Sequence, residues 1–310
     1  MAGGHRVRIS GEPCEDISFS AGFSDYRYDP NGEYWIEQSY VQYFIPHQQR
    51  LALPVVLVHG GGLTGSCWET HPDCRMGWQE SLIRRGVSTY VADSVERGRA
   101  GFAALPGTWS GRPLQRSAEE SWSLFRIGKR ADFAARRPFD GSQFPLEAFD
   151  DLVRQTVPRW LTNTEAQIAA LVAVVRIVGP CYLVGHSQGG GHAMAVAERE
   201  PELVRATVAL EPHGGPSRFE RAAGRPMLHV QGDFIDRDDT WTRLARSAKE
   251  SVKAWRDGGG VADTLDLPRE GLMGNSHMLM MDRNSETVLD LVMQWLTRID
   301  ASHSNLEACS

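Results

Sequence analysis

The sequence is short of the features that would set it outside the ordinary globular class. Its five cysteines, Cys14, Cys67, Cys74, Cys181 and Cys309, are odd in number and include no C-x-x-C pair. That argues against a disulfide framework or a zinc ribbon. Cys67 and Cys74 could meet only if their loop folded back, so both are expected as free thiols. Lysine and arginine form no long run, and the formal net charge is −6, so the basic face of a nucleic-acid binder is missing. No stretch is apolar enough to span a membrane. The most apolar one, residues 168–184, is broken by Arg176, Gly179 and Pro180 and reads as a helix followed by a strand. No apolar run of the kind a secretory leader needs follows Met1, and the expected location is the cytoplasm. Internal repeats and low-complexity segments are also missing.

What remains is a 310-residue chain with 41% hydrophobic and 23% charged residues, enough for one large domain with an insertion. The first 30 residues, rich in Gly, Ser, Asp and Pro, read as loops or an extended arm. A β-prone segment follows at 34–46. Short apolar runs then recur at 54–59, 88–93, 181–186 and 206–211, with two more at 227–231 and 261–267. Continuous apolar strands are what a parallel sheet covered on both faces requires. Helical patterns lie between them, at 78–85, 163–177, 190–199, 240–256 and 285–299. The expected fold class is therefore α/β, with a mostly parallel, doubly wound sheet. Between residues 94 and 161 no such strand occurs, although the segment is dense in Trp and Phe. A structureless loop of that length is unusual, so an inserted helical cap is expected there. The core domain then comprises residues 1–93 and 162–310.

Gly185-His186-Ser187-Gln188-Gly189 fits G-x-S-x-G. An apolar strand precedes it and a helix of small residues follows it. A serine in that sharp turn is presented at the carboxyl end of the sheet, near a helix N-terminus that favours negative charge. Upstream, the apolar run 55–58 leads into His59-Gly60-Gly61-Gly62. Acyl transfer builds negative charge on a carbonyl oxygen, and backbone N–H groups must already point at it. The expected donors are Gln188 and Gly61, with Gly62 as the alternative to Gly61. His59 is expected to tie the loop down.

In this architecture the chain order is nucleophile, acid, base. Of ten histidines, His277 alone lies after the last expected strand and before the final helix, where a loop would bring its imidazole over Ser187. For the acid the pattern leaves Glu211, at the end of one strand, level with Asp233 or Asp236 after the next, of which Asp236 has the more ordinary location.

Further motifs are more specific. Residues 59–65, Trp68-Glu69-Thr70, Pro72-Asp73, Arg75-Met76-Gly77-Trp78, Asp93 and Arg97-Gly98-Arg99 resemble those of a small group of α/β-hydrolase esterases that carry glutamate in a Ser-His-Glu triad. The similarity covers roughly residues 35–300. It implies Ser187 as nucleophile, Glu211 as acid, His277 as base, and Gly61 and Gln188 as oxyanion donors. Some bacterial members are exported and carry a Cys pair in the oxyanion loop, where this chain has Gly61-Gly62.

The expected activity is hydrolysis of a carboxylic ester without metal or cofactor. A lactonase using the same residues is the alternative, and an acyltransferase or a hydrolase-like receptor the more distant ones. The expected partner is a small-molecule ester or lactone, with a homodimer as an open alternative, and neither nucleic acid nor membrane. Trp109, Trp122 and Trp160 are the expected aromatic walls of the substrate pocket.

Overall fold

The computed structural model describes residues 1–18, 20–22 and 25–307, the last six as backbone only. Ten strands form in chain order: β1 Ala2–Ile9, β2 Glu15–Ile17, β3 Tyr26–Tyr28, β4 Gly32–Phe44, β5 Val55–Val58, β6 Thr89–Asp93, β7 Cys181–His186, β8 Val204–Leu210, β9 Pro226–Gln231 and β10 Val261–Asp266. The helices are α1 Ser66–Glu69, α2 Trp78–Arg84, α3 Ala118–Leu124, α4 Phe149–Arg154, α5 Thr164–Val178, α6 Gln188–Arg199, α7 Asp239–Asp257 and α8 Ser285–Glu307. Eight strands build one sheet in the order β1-β4-β6-β5-β7-β8-β9-β10, and β2 pairs with β3 apart from it. From β6 to β10 every pairing is parallel, while β1–β4 and β4–β6 are antiparallel.

The inner parallel strands are largely apolar runs because both faces of the sheet are covered there, whereas the edge strand β10 is part-exposed. Val55, Leu57, Tyr182 and Val184 point into one apolar layer, shared with Trp78 and Leu82 of α2 and with Leu289 and Val292 of α8. Val56, Val58, Cys181 and Leu183 point into the other, against Leu171 and Val175 of α5 and Met194 of α6. Strand alternation thus divides each run between two cores. Cys67 is buried, Cys74 exposed, and both are free thiols.

Two regions differ in detail from expectation. The start of the chain forms an edge strand, β1, paired with β4 from Ala2↔Ser39 to Ile9↔Gly32. Residues 94–161, expected as a helical cap, carry only α3, α4 and three 3-10 turns, joined by irregular chain. Trp122, Phe125, Phe144 and Phe149 of this segment lie in the same apolar layer as Leu57 and Val184. The segment therefore extends the existing core instead of enclosing one of its own.

Candidate active site

Ser187 sits between β7 and α6 with φ 54° and ψ −120°, in the left-handed half of backbone space. Its N–H donates to Leu210 O at 2.9 Å, and its carbonyl accepts from His213 N at 2.9 Å. Both flanking glycines are sterically required. A Cβ on Gly185 would collide with Gly189 O, and one on Gly189 would collide with His59 O. The turn can therefore form only where helix, strand and the loop after β5 pass without side chains between them.

That loop is held by its carbonyls. Gly60 O accepts from Leu63 N and from Arg97 Nη1, at 3.3 and 3.1 Å. Gly61 O accepts from Arg116 Nη1 at 2.7 Å, and Gly62 O from Val157 N at 2.9 Å. His59 Nε2 accepts from Ser94 N at 3.0 Å, which places its proton on Nδ1, facing Gly60 O at 2.9 Å. His59 ties the loop down, as its position suggested. Asp93 binds Gly65 N and the Arg99 guanidinium. Arg97 also reaches Gln188 Oε1 and Gln167 Oε1. The specific motifs of the sequence are thus the scaffold of this loop. The N–H groups of Gly61 and Gln188 donate to no acceptor among the described residues. Gly62 does not line the cavity beside Ser187.

His277 is 3% exposed. Its Nδ1 lies 3.0 Å from Glu211 Oε2, which fixes the Nδ1–H tautomer and leaves Nε2 unprotonated. The loop that carries it is built around buried Asp282, which accepts from Ser276 N, Ser276 Oγ and Asn275 Nδ2. Arg75, aligned by Asp73, grips the carbonyls of Met281 and Asp282 from the far side. Of the acid candidates only Glu211 reaches the imidazole; the Asp233 carboxylate accepts instead from Phe234 N and Gly274 N. Asp236 lies in an exposed turn beside Arg237.

Glu211 is shared with a residue that the sequence did not bring forward. Arg126 is 1% exposed and binds both carboxylate oxygens, at 2.5 and 2.6 Å. Its Nε donates to Asp233 O, and its guanidinium lies over the Trp241 ring. Burial alone would raise the Glu211 pKa, but Arg126 and the His277 hydrogen bond outweigh it and hold the carboxyl well below the usual carboxylate range. Burial lowers the His277 pKa to about 4, against the opposing pull of Glu211.

Ser187, His277, Gln188 and Gly61 line one cavity of about 120 Å³, closed by Leu63, Leu124, Phe125, Trp241 and Leu244 and by Arg116, Arg159 and His213. A larger open groove of about 500 Å³, past Phe234 and Asp266, contains none of the four. None of the three expected tryptophans lines the cavity. Trp122 is fully buried and packs edge-on against Phe133 and Phe149, with ring centroids at 5.9 and 5.1 Å. Trp160 stacks on Phe102, and Trp109 lies elsewhere in the same irregular segment. The tryptophan of the wall is Trp241, from α7, 4.4 Å from the His277 ring.

Comparison with known proteins agrees with this architecture. A solved bacterial esterase is 31% identical and superposes with a TM-score of 0.82, over 96% of this chain and 94% of its own. A fungal protein described as a probable secreted lipase, phiG, is 25% identical over 86% of this chain and 88% of its own. The alpha/beta hydrolase family matches residues 55–298, and the chain belongs to that family.

Proposed function

We propose that the protein is a serine hydrolase that cleaves carboxylic esters through an acyl-enzyme on Ser187. The observation that carries this reading is the Glu211–His277 contact at 3.0 Å, at the wall of the cavity that also holds Ser187. Ser187 Oγ attacks the ester carbonyl carbon while His277 Nε2 takes its proton. The C=O electron pair moves onto oxygen, which the Gly61 and Gln188 N–H groups receive. Collapse of the tetrahedral species breaks the C–O bond to the alcohol, which leaves with the proton from His277. Water then repeats the sequence, releasing the acid and restoring Ser187. Glu211 holds the imidazole in its tautomer and stabilises the imidazolium. Arg126 acts through Glu211 as a positioning residue and keeps it ionised in full burial.

The test is turnover of a simple aryl ester by the parent and by Ser187→Ala, with a serine-directed phosphonate as label. The Ala variant is expected to fold and to lose roughly 10⁴-fold or more of the rate, with label on Ser187 alone. Substantial activity without the hydroxyl would overturn the mechanism.

A further inference from the structure

Three arginines surround the oxyanion loop, and their partners differ. Arg97 is 2% exposed and meets only neutral acceptors, Gly60 O, Gln167 Oε1 and Gln188 Oε1. Arg116 spends one nitrogen on Gly61 O and has Glu120 at 3.5 Å, on a half-exposed side chain at the rim. Arg159 lines the cavity, and its guanidinium donates no hydrogen bond and forms no ion pair among the described residues; the one carboxylate that acts on it, Glu120, does so from beyond ion-pair distance. Its backbone is nonetheless fixed. The backbone of Arg159 pairs with Leu114 through both hydrogen bonds, at 2.8 and 2.9 Å, in an isolated antiparallel bridge. The bridge also sets Arg116, two residues beyond Leu114, alongside Arg159. The Arg159 guanidinium lies so close to Gly61 that a Cβ there would collide with Nη1.

The acids nearby do not balance this charge, because Glu211 is already neutralised by Arg126, and the half-exposed Glu120 at the rim stands alone against both Arg116 and Arg159. Holding the loop explains Arg97 and Arg116, but it does not explain Arg159, which holds nothing. A part-buried cation without a partner is unfavourable unless an anion joins it. Burial, with repulsion among the three, lowers Arg97 to about 9 and Arg116 to about 10. The ensemble therefore has positive charge in excess at the cavity wall.

We infer that the site selects anionic esters, in which a carboxylate lies a few bonds from the scissile carbonyl, and that Arg159 binds this carboxylate with Arg116 beside it. Planar guanidinium groups suit a carboxylate better than any neutral acceptor. The inference rests on the ester-hydrolase reading for its chemistry but not for its binding step, so the two can be separated.

The experiment compares kcat/KM for 4-nitrophenyl pentanoate and mono-4-nitrophenyl glutarate, which share an acyl length and differ in the terminal carboxylate. In parallel, calorimetry measures glutarate binding to Ser187→Ala. The parent is expected to favour the glutarate ester by about 10–100-fold. Arg159→Met should bring that ratio close to unity, Arg159→Lys should keep most of it, and glutarate binding should vanish when Arg159→Met is added. Circular dichroism checks each fold; if the Met variant does not fold, the parent's own preference and the Lys variant decide. Equal turnover of the two esters by the parent, or a ratio unchanged in Arg159→Met, overturns the proposal. Arg159-dependent glutarate binding with neither ester cleaved would leave the anion site standing and remove ester hydrolysis.

Discussion

The floor and the roof of the cavity are built by different means. On the floor, β5, β7 and β8 end side by side, and the chain turning off each one delivers Gly61, Ser187 and Glu211. Their placement follows from backbone geometry, from parallel pairing and from the close approach that Gly185 and Gly189 allow. In the roof, residues 94–161 have little regular structure and contribute through long side chains. Arg116 reaches Gly61, Arg126 reaches Glu211, and Arg159 faces the cavity. The sheet thus holds its part of the cavity through backbone geometry, whereas the segment laid over it reaches the same cavity largely through side chains, one of which, Arg126, also holds Glu211.

The division can be broken at its strongest point first. Glu211→Gln keeps shape but removes the charge facing Nδ1, and should lower kcat by roughly 10⁴-fold. Asp236→Asn, in its exposed turn, should leave kcat close to parental. Steady-state kinetics of the two variants decides, and the reverse ranking would move the acid off the floor. Next comes the roof. Trp122→Ala empties a fully buried site between Phe133 and Phe149. It should destabilise the fold by about 3–5 kcal/mol while the ranking of esters by acyl length stays parental. A changed ranking on a folded variant would return Trp122 to substrate selection.

The smallest expected effect concerns pH. In the proposed mechanism His277 has to be neutral to accept the Ser187 proton, and burial lowers its pKa from 6.5 to about 4. The acid limb of kcat/KM should accordingly fall well below pH 6.5, towards 4. Stability has a matching sign. Between about 4 and 6.5 the unfolded chain binds the proton that folded His277 refuses, so the fold gains stability as pH rises through that window and not beyond it. His59, His71 and His229, also lowered to about 4 by burial, act in the same direction. Denaturant titrations run alongside the rate profile separate the two effects. An acid limb at pH 6.5 on a folded chain would mean that His277 is more solvated than this cavity allows.

The floor was legible in the sequence because each of its parts is local. The strands β5 to β9 announce themselves as largely apolar runs, the edge strand β10 less so, and the bounds of β7 coincide with residues 181–186. Gly185, Ser187 and Gly189 lie within five positions of one another, and His277 was found from its place in chain order. The Glu211–Asp236 choice needed distance, since both lie just past strands. β1 was hidden because an edge strand with exposed His5, Arg6 and Arg8 shows the polar composition of a loop. The roof was illegible for a stronger reason. Arg126 and Glu211 are 85 positions apart, and Arg116 meets Arg159 only through the Leu114 bridge. Composition shows that residues 94–161 hold many aromatics, but the periodicity of an irregular segment cannot say which face the core and which face a ligand.

Ser187, Glu211 and Arg126 share one further property. Their φ angles, 54°, 50° and 55°, all lie where side chains are disfavoured. Each such residue costs about 1–3 kcal/mol, so the three together withhold roughly 3–9 kcal/mol from the fold. The net stability of a whole domain is only about 5–15 kcal/mol. The apolar layers of the sheet, together with the Arg126–Glu211 pair and the Glu211–His277 hydrogen bond, therefore have to hold these three residues in place. A chain selected for durability alone would carry glycine at 187 and give up its hydroxyl. Of the eight non-glycine residues with positive φ among the described residues, these three are the ones at which durability and the proposed chemistry would pull apart.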